Sequence, residues 1–179
     1  MEAPGLFEVA LEKLRAHSNE LDEQERGQLY AVLLFLRFDL NSELAALYLE
    51  YEAGLRAAFC EGASRPSRSQ REVSAVLNHI GVVHEFEHVT DEGISLDMAD
   101  PKAKVAWEFD GPTHYVHGSN GVAPRLNGPS LFKQRILKKM GWKVHHIPYY
   151  EWDKLASRSD KEMYLKNRLI NGTEQLEVT

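Results

Sequence analysis

The chain reads as an α/β domain preceded by a small bundle of two or three α-helices. Three observations predict this. Apolar residues recur at helical spacing through the first 60 residues; short alternating apolar runs replace that period after residue 68; and a basic, helix-forming stretch separates two of those runs. The element order of the second part is αβββαβα, with a parallel strand pair expected across the basic helix.

Helical segments come first. Pro4 to His17 carries apolar groups at Leu6, Phe7, Val9, Ala10, Leu11 and Leu14. Asn19 is placed to cap a helix running to about Phe38, and Asn41 or Ser42 to cap Glu43 to Phe59. Residues 1–60 are therefore expected as antiparallel helices with short joins, and no internal repeat at a fixed period is evident. The small, polar, basic stretch Gly62-Ala-Ser-Arg-Pro-Ser-Arg marks a linker over residues 61–68. The second domain is expected over residues 69–170, leaving 171–179 as a tail.

Within that domain, Ser69-Gln70-Arg71-Glu72 reads as a capping box opening a helix through His79, which Gly81 is placed to close. Val82 to Val89 follows as a strand. Two further strands come from residues 94–110, where Leu96, Met98, Val105, Trp107 and Phe109 alternate onto one face. That alternation turns Asp97, Glu108 and Asp110 to the other face, and Gly111-Pro112 delivers His114 just past the second strand. Carboxylates gathered on one sheet face repel one another and resist desolvation, so a divalent cation, a basic partner or open water is expected beside them. After a loop over His117 to Pro129 come a helix from Ser130 to Met140 ended by Gly141, a strand over Trp142 to Pro148, a turn at Tyr149 to Asp153, and a helix from about Ser159 to Ile170.

Composition narrows the function. The 179 residues carry a net charge of −6, which by itself disfavours a polyanionic partner. Its distribution reverses this. Residues 1–100 hold 8 Lys and Arg against 19 Asp and Glu, a net of −11, whereas residues 125–168 hold 11 against 4, a net of +7. An acidic front and a basic back imply two surfaces with different partners. The longest apolar run, residues 29–36, is too short to span a membrane. A single Cys60 excludes an internal disulfide and suits a reducing compartment. Met1 to Glu12 carries acids and no Lys or Arg, unlike a targeting signal, so a cytosolic chain or one whose address has been removed is expected.

Candidate nucleic-acid contacts are Arg125, Lys133, Arg135, Lys138, Lys139 and Lys143 on and around the basic helix, with Tyr115 and Tyr149 as stacking rings. The Ser130 end of that helix offers N–H groups suited to phosphate. Trp142 and Trp152 are expected in the core. His145 and His146 alternate across a strand, so at most one of them can face the site.

Glu-Phe-Asp-Gly-Pro-Thr-His-Tyr (108–115), Arg-Leu-Asn-Gly-Pro-Ser-Leu-Phe-Lys-Gln-Arg-Ile-Leu (125–137) and Gly-Trp-Lys-Val-His-His-Ile-Pro-Tyr-Tyr-Glu-Trp (141–152) resemble the RAP domain, the "RNA-binding domain abundant in apicomplexans". The likeness covers about residues 94–170. It implies a fold similar to restriction-endonuclease-like nucleases of the PD-(D/E)XK class, especially the very-short-patch-repair type. It also implies a place in mitochondrial or, alternatively, plastid RNA metabolism, with the acidic helices as a remnant of a helical-repeat array. In the nuclease class an Asp, then an acid and a Lys one residue apart, hold Mg²⁺ or Mn²⁺ and activate water. Asp97 and Glu108 match the two acids, but Asp110 stands where the Lys belongs. Lys133 reaching back, and His114 as base or ligand, are the available substitutes; Glu72 is either a further acid or only a helix cap.

Of three functions compatible with the sequence, the first is favoured by the missing lysine and the other two are alternatives. The first is an RNA-binding protein acting in organellar rRNA or mRNA processing, stability or ribosome assembly without catalysis of its own. The second is an RNA endonuclease with Asp97, Glu108, Asp110, His114 and Lys133 as catalytic set, the three acids holding Mg²⁺ or Mn²⁺. The third is a structural subunit of an organellar ribosome, its basic face on rRNA and its acidic N-terminal helices docked on ribosomal or helical-repeat proteins.

Overall fold

A computed structural model describes residues 4–18, 20–61, 66–116 and 124–171. The chain is mixed α/β and forms two compact units, one of residues 1–64 with Asp91–Ile94 and one of residues 65–90 with 95–179. Residues 1–3, Asn19, residues 62–65 of the predicted linker, residues 117–123 of the long loop and the tail beyond Asn171 lie outside the described residues. Among the described residues no helix is long and apolar enough to cross a membrane.

In the first unit α1, Pro4–His17, buries Leu11 and Leu14. The next helix, α2 at Glu23–Leu34, is opened by Asp22 rather than Asn19. Asp22 Oδ1 accepts from the Glu25 N–H at 2.8 Å while Glu25 Oε2 accepts from the Asp22 N–H at 3.0 Å. The helical path runs on past Leu34 to Asp39, close to the expected end at Phe38, with its last turn widened into a π-helix at Phe35–Asp39. Ser42 then caps a tight 3-10 helix at Glu43–Tyr51, which relaxes into α3, Glu52–Glu61. Arg37 grips Glu52 with two bonds of 2.8 and 2.9 Å, clamping the π turn to the start of α3 and holding that carboxyl below its ordinary range. The turn Asp91–Ile94 completes the unit: the Tyr30 hydroxyl donates to the Glu92 carbonyl at 2.8 Å. Only glycine fits at Gly93, where φ is +84° and an added Cβ would lie 2.7 Å from Cys60 Sγ.

The second unit opens with α4, Arg68–His79. Its cap is Ser67, whose Oγ accepts from the Gln70 N–H, and Gln70 returns its own Oε1 to the Ser67 N–H. The predicted box from Ser69 to Glu72 is thus shifted by two residues, and Glu72 is no cap. It accepts from Trp152 Nε1 at 3.1 Å and Lys161 Nζ at 2.7 Å. Gly81, at φ +82°, ends the turn after α4 as expected.

Strands β1 (Glu85–Val89), β2 (Ser95–Asp100), β3 (Val105–Asp110) and β6 (Lys143–Pro148) form one sheet in the order β1-β2-β3-β6. The first three run antiparallel, with Met98 opposite Trp107; β3 and β6 run parallel, with Trp107 opposite His145 and Glu108 opposite His146. Between them lie a small ribbon of β4 (Tyr115–Val116) with β5 (Arg125–Leu126), and α5, Gly128–Lys139. Helix α5 starts at an Asn127 cap, two residues before the predicted Ser130 start. One turn of helix, α6 at Tyr149–Trp152, leads to α7, Arg158–Asn171.

Residues 106–110 of β3 are all buried, so helices cover both faces of the sheet. On one face Val73, Val76 and Leu77 of α4 and Leu165 of α7 pack with Met98, Trp107, Phe109, Ile147 and Trp152. Leu77 is fully buried among them. Leu77→Ala should lower stability by roughly 2–5 kcal/mol, read as a reduced urea midpoint at unchanged slope.

Candidate functional site

The predicted alternation brings Asp97, Glu108 and Asp110 to the sheet face opposite that core. Glu108 and Asp110 are buried rather than open to water, at 6% and 3% exposed, and Asp97 is half-buried. Where β2 and β3 part beyond the Met98–Trp107 pair, two carboxylates take over from the ladder. Asp97 Oδ2 accepts the Phe109 N–H at 2.8 Å, and Glu108 Oε1 accepts the Asp97 N–H at 3.2 Å. The remaining oxygens are also engaged. Gln70 Nε2 donates to Asp97 Oδ1 at 2.8 Å, and Lys133 Nζ on α5 donates to Glu108 Oε2 at 2.5 Å. Asp110 Oδ2 accepts from His146 Nδ1 at 2.8 Å. The Tyr115 hydroxyl, its pKa pushed up by burial and then by the negative charge of Asp110, also bonds this carboxylate.

Lys133 therefore stands beside Glu108, reaching back from the helix as the spacing allowed. A divalent ion does not fit this donor set. Its ligands would have to release Gln70, Lys133, His146 and two backbone N–H groups, and among the described residues no three acid, His or Cys groups are disposed to hold a metal. Glu72 is committed to Trp152 and Lys161.

A cavity of about 220 Å³ opens between this acidic face and the first turns of α5. Glu108, Asp110, Lys133, His114 and His146 all line it. His114 Nδ1 and Ser130 Oγ are hydrogen-bonded at 3.0 Å. The Ser130 N–H, expected free for phosphate, instead donates to Asn127 Oδ1 at 3.0 Å. His146 and Gln70 were not singled out as site residues from sequence. Strand alternation held the signal for His146, but its pairing with Asp110 depends on the parallel register.

The cations expected on RNA do not form one patch. Arg125 is exposed in β5, ahead of α5; Lys138 and Lys139 are exposed in its last turn and Lys143 at the start of β6, roughly 18 Å away along the helix. Lys104 joins that far corner, donating to the Met140 carbonyl at 2.9 Å. Arg135 is exposed on α5 and has an interaction of its own. Tyr115, Tyr149 and Tyr150 pack as a three-ring cluster with centroids 5.5–6.0 Å apart. Trp142 and Trp152 are buried, as expected.

Burial raises the Glu108 carboxyl from 4.5 to about 7 against the opposing pull of Lys133, and raises Asp97 as well. On the opposite face burial lowers His145, stacked on Trp107, from 6.5 to about 4. The two shifts oppose each other. From pH 4.5 to 7 the folded state holds the Glu108 proton more tightly than the unfolded chain, so stability falls as pH rises; from pH 4 to 6.5 only the unfolded chain protonates His145, so stability rises. Glu108→Gln should therefore shift the balance so that the pH 7 urea midpoint gains relative to that at pH 5. His145→Phe should shift it the opposite way. Parallel pH profiles for both variants and the parent would contradict the assignment.

Residues 107–168 match the family model described as RAP domain. The chain is 28% identical over 141 residues to a "RAP domain-containing protein, chloroplastic" of Oryza sativa subsp. japonica, an alignment covering 72% of this chain and 21% of that protein. It is 35% identical over 72 residues to "FAST kinase domain-containing protein 3, mitochondrial" of Rattus norvegicus and 36% over 72 to the protein of that name from Bos taurus, in each case 40% of this chain and 10% of the relative. The chain thus matches about a fifth of the rice protein and a tenth of the mammalian ones, and all three are organellar by name. The strand that carries Glu108, the helix that carries Lys133 and the strand that carries His146 all lie inside the segment that matches a RAP domain, residues 107–168.

Proposed function

We propose that this chain is an RNA-binding protein of organellar RNA metabolism, mitochondrial in the first instance and plastid in the alternative, acting in RNA processing, stability or ribosome assembly. The observation that carries this reading is the exposed basic corner of Lys138, Lys139 and Lys143 on a RAP domain, in a chain whose other half is strongly acidic. Solvated ammonium groups on a rigid helix end lose little by meeting phosphates and gain from counterion release. Lys133 has a different task, since its charge is spent on Glu108.

The rival reading is an endoribonuclease, and one observation favours it. Lys133 brings to Glu108 the amine that Asp110 does not supply. Against it stands the disposition of the acids: each already holds protein donors, and among the described residues no three acid, His or Cys groups converge on one metal position.

Mobility shift with labelled single-stranded RNA, in Mg²⁺ and in chelator, tests both. Lys138→Glu with Lys139→Glu should weaken binding about tenfold or more and flatten the slope of log affinity against log salt by about 2. Unchanged affinity and slope would refute the basic corner as the contact. RNA shortened in Mg²⁺ but not in chelator, with the activity lost in Glu108→Gln, would replace the binding reading by the nuclease.

A further inference from the structure

We infer that the cavity between the acidic strand face and α5 receives a single unstacked RNA base, preferring one with an exocyclic amino group. This rests on the RNA-binding reading and names the ligand of a site that no phosphate contact explains. Its size is the first argument. About 220 Å³ is below the roughly 300–1,000 Å³ of pockets that take drug-sized ligands, and suits one flat heterocycle rather than a nucleotide with its backbone.

The lining is the second argument. Pro129, Leu137 and Val144 supply carbon walls for a ring face, while Glu108, Asp110 and Gln134 bring polar groups to the same space. Carboxylates repel phosphate. Shared as they are with Lys133 and His146, they keep lone pairs for a neutral N–H donor. The amino groups of cytosine, adenine and guanine are such donors; uracil has no amino group, and its one Watson–Crick donor, N3–H, lies between two carbonyl oxygens that the carboxylates repel.

Position is the third. The Tyr115 ring, which bonds Asp110 through its hydroxyl, belongs to the three-tyrosine cluster, so an aromatic surface adjoins the acids on which a neighbouring base can stack. Single-stranded RNA already has unpaired bases, so turning one into a pocket costs less than extruding it from a duplex.

The test is titration of the full chain with fluorescein-labelled C8, A8 and U8 RNA in chelator, followed by anisotropy. C8 and A8 should bind about tenfold more tightly than U8. Gln134→Trp, which fills the cavity from α5, should bring C8 and A8 down to the U8 affinity and leave U8 unchanged. Pro129→Trp, at an exposed rim position, serves if the first variant does not fold. Equal affinity for all three RNAs, or a preference that survives the filled cavity, would overturn the pocket while leaving the RNA-binding reading intact. Failure of every octamer to bind would overturn that reading and the pocket with it.

Discussion

The structure turns on a reciprocal exchange between Asp97 and Glu108. At the point where β2 and β3 separate, each strand would expose a backbone N–H inside the protein. Each is instead taken by a carboxylate from the strand opposite, Asp97 receiving Phe109 N–H and Glu108 receiving Asp97 N–H. An unsatisfied buried N–H costs on the order of 1–3 kcal/mol, so the two acids close a gap that the ladder leaves. Everything near the cavity is arranged around that exchange. Gln70 spans from the first turn of α4 to hold Asp97, and Lys133 spans from α5 to hold Glu108, so two helices are anchored on one pair of acids.

Charge is handled differently on the two faces of the same sheet. The face toward α4 and α7 is largely apolar, and the buried His145 of β6 is kept neutral by burial against Trp107. Toward α5, three carboxylates are retained, with cationic or neutral donors brought to each. A buried ion pair offers little net stability compared with packed hydrocarbon, so its retention buys placement: the helix carrying Lys133 sits over the strand carrying Glu108 in one register. The exposed lysines at the far end of α5 remain free of that duty.

Much of this was legible from residue order. Alternation through Leu96, Met98, Trp107 and Phe109 placed the three acids together, and glycines at 81 and 141 stop helices with the positive φ expected of them. What alternation does not specify is what lies above the acids. Alternation left open whether an ion, a basic partner or water lies beside them, because the depth of α5 over the sheet is a tertiary fact, set by how Ile136 and Leu137 pack. Caps were misassigned for a related reason. Asp22 has a Glu three residues on that answers it and Asn19 does not; Ser67 and Ser69 each have such a partner, but Glu72 is drawn away to Trp152 and Lys161, a long-range choice that local order does not show. The π and 3-10 turns around Phe35–Tyr51 left no trace in a 3.6-residue period. For His146, alternation was sufficient, but the partner was supplied by the parallel register of β6 on β3.

That parallel register also orders events in time. Strand β3 acquires its second neighbour only after the chain has passed through the ribbon and α5 and returned as β6, and contacts between such distant segments are late and slow to form. Until then Glu108 is a hydrated carboxylate on the flank of a hairpin. The same docking step strips its water, delivers the Lys133 amine and encloses the cavity, so the pocket has no existence apart from the completed crossover.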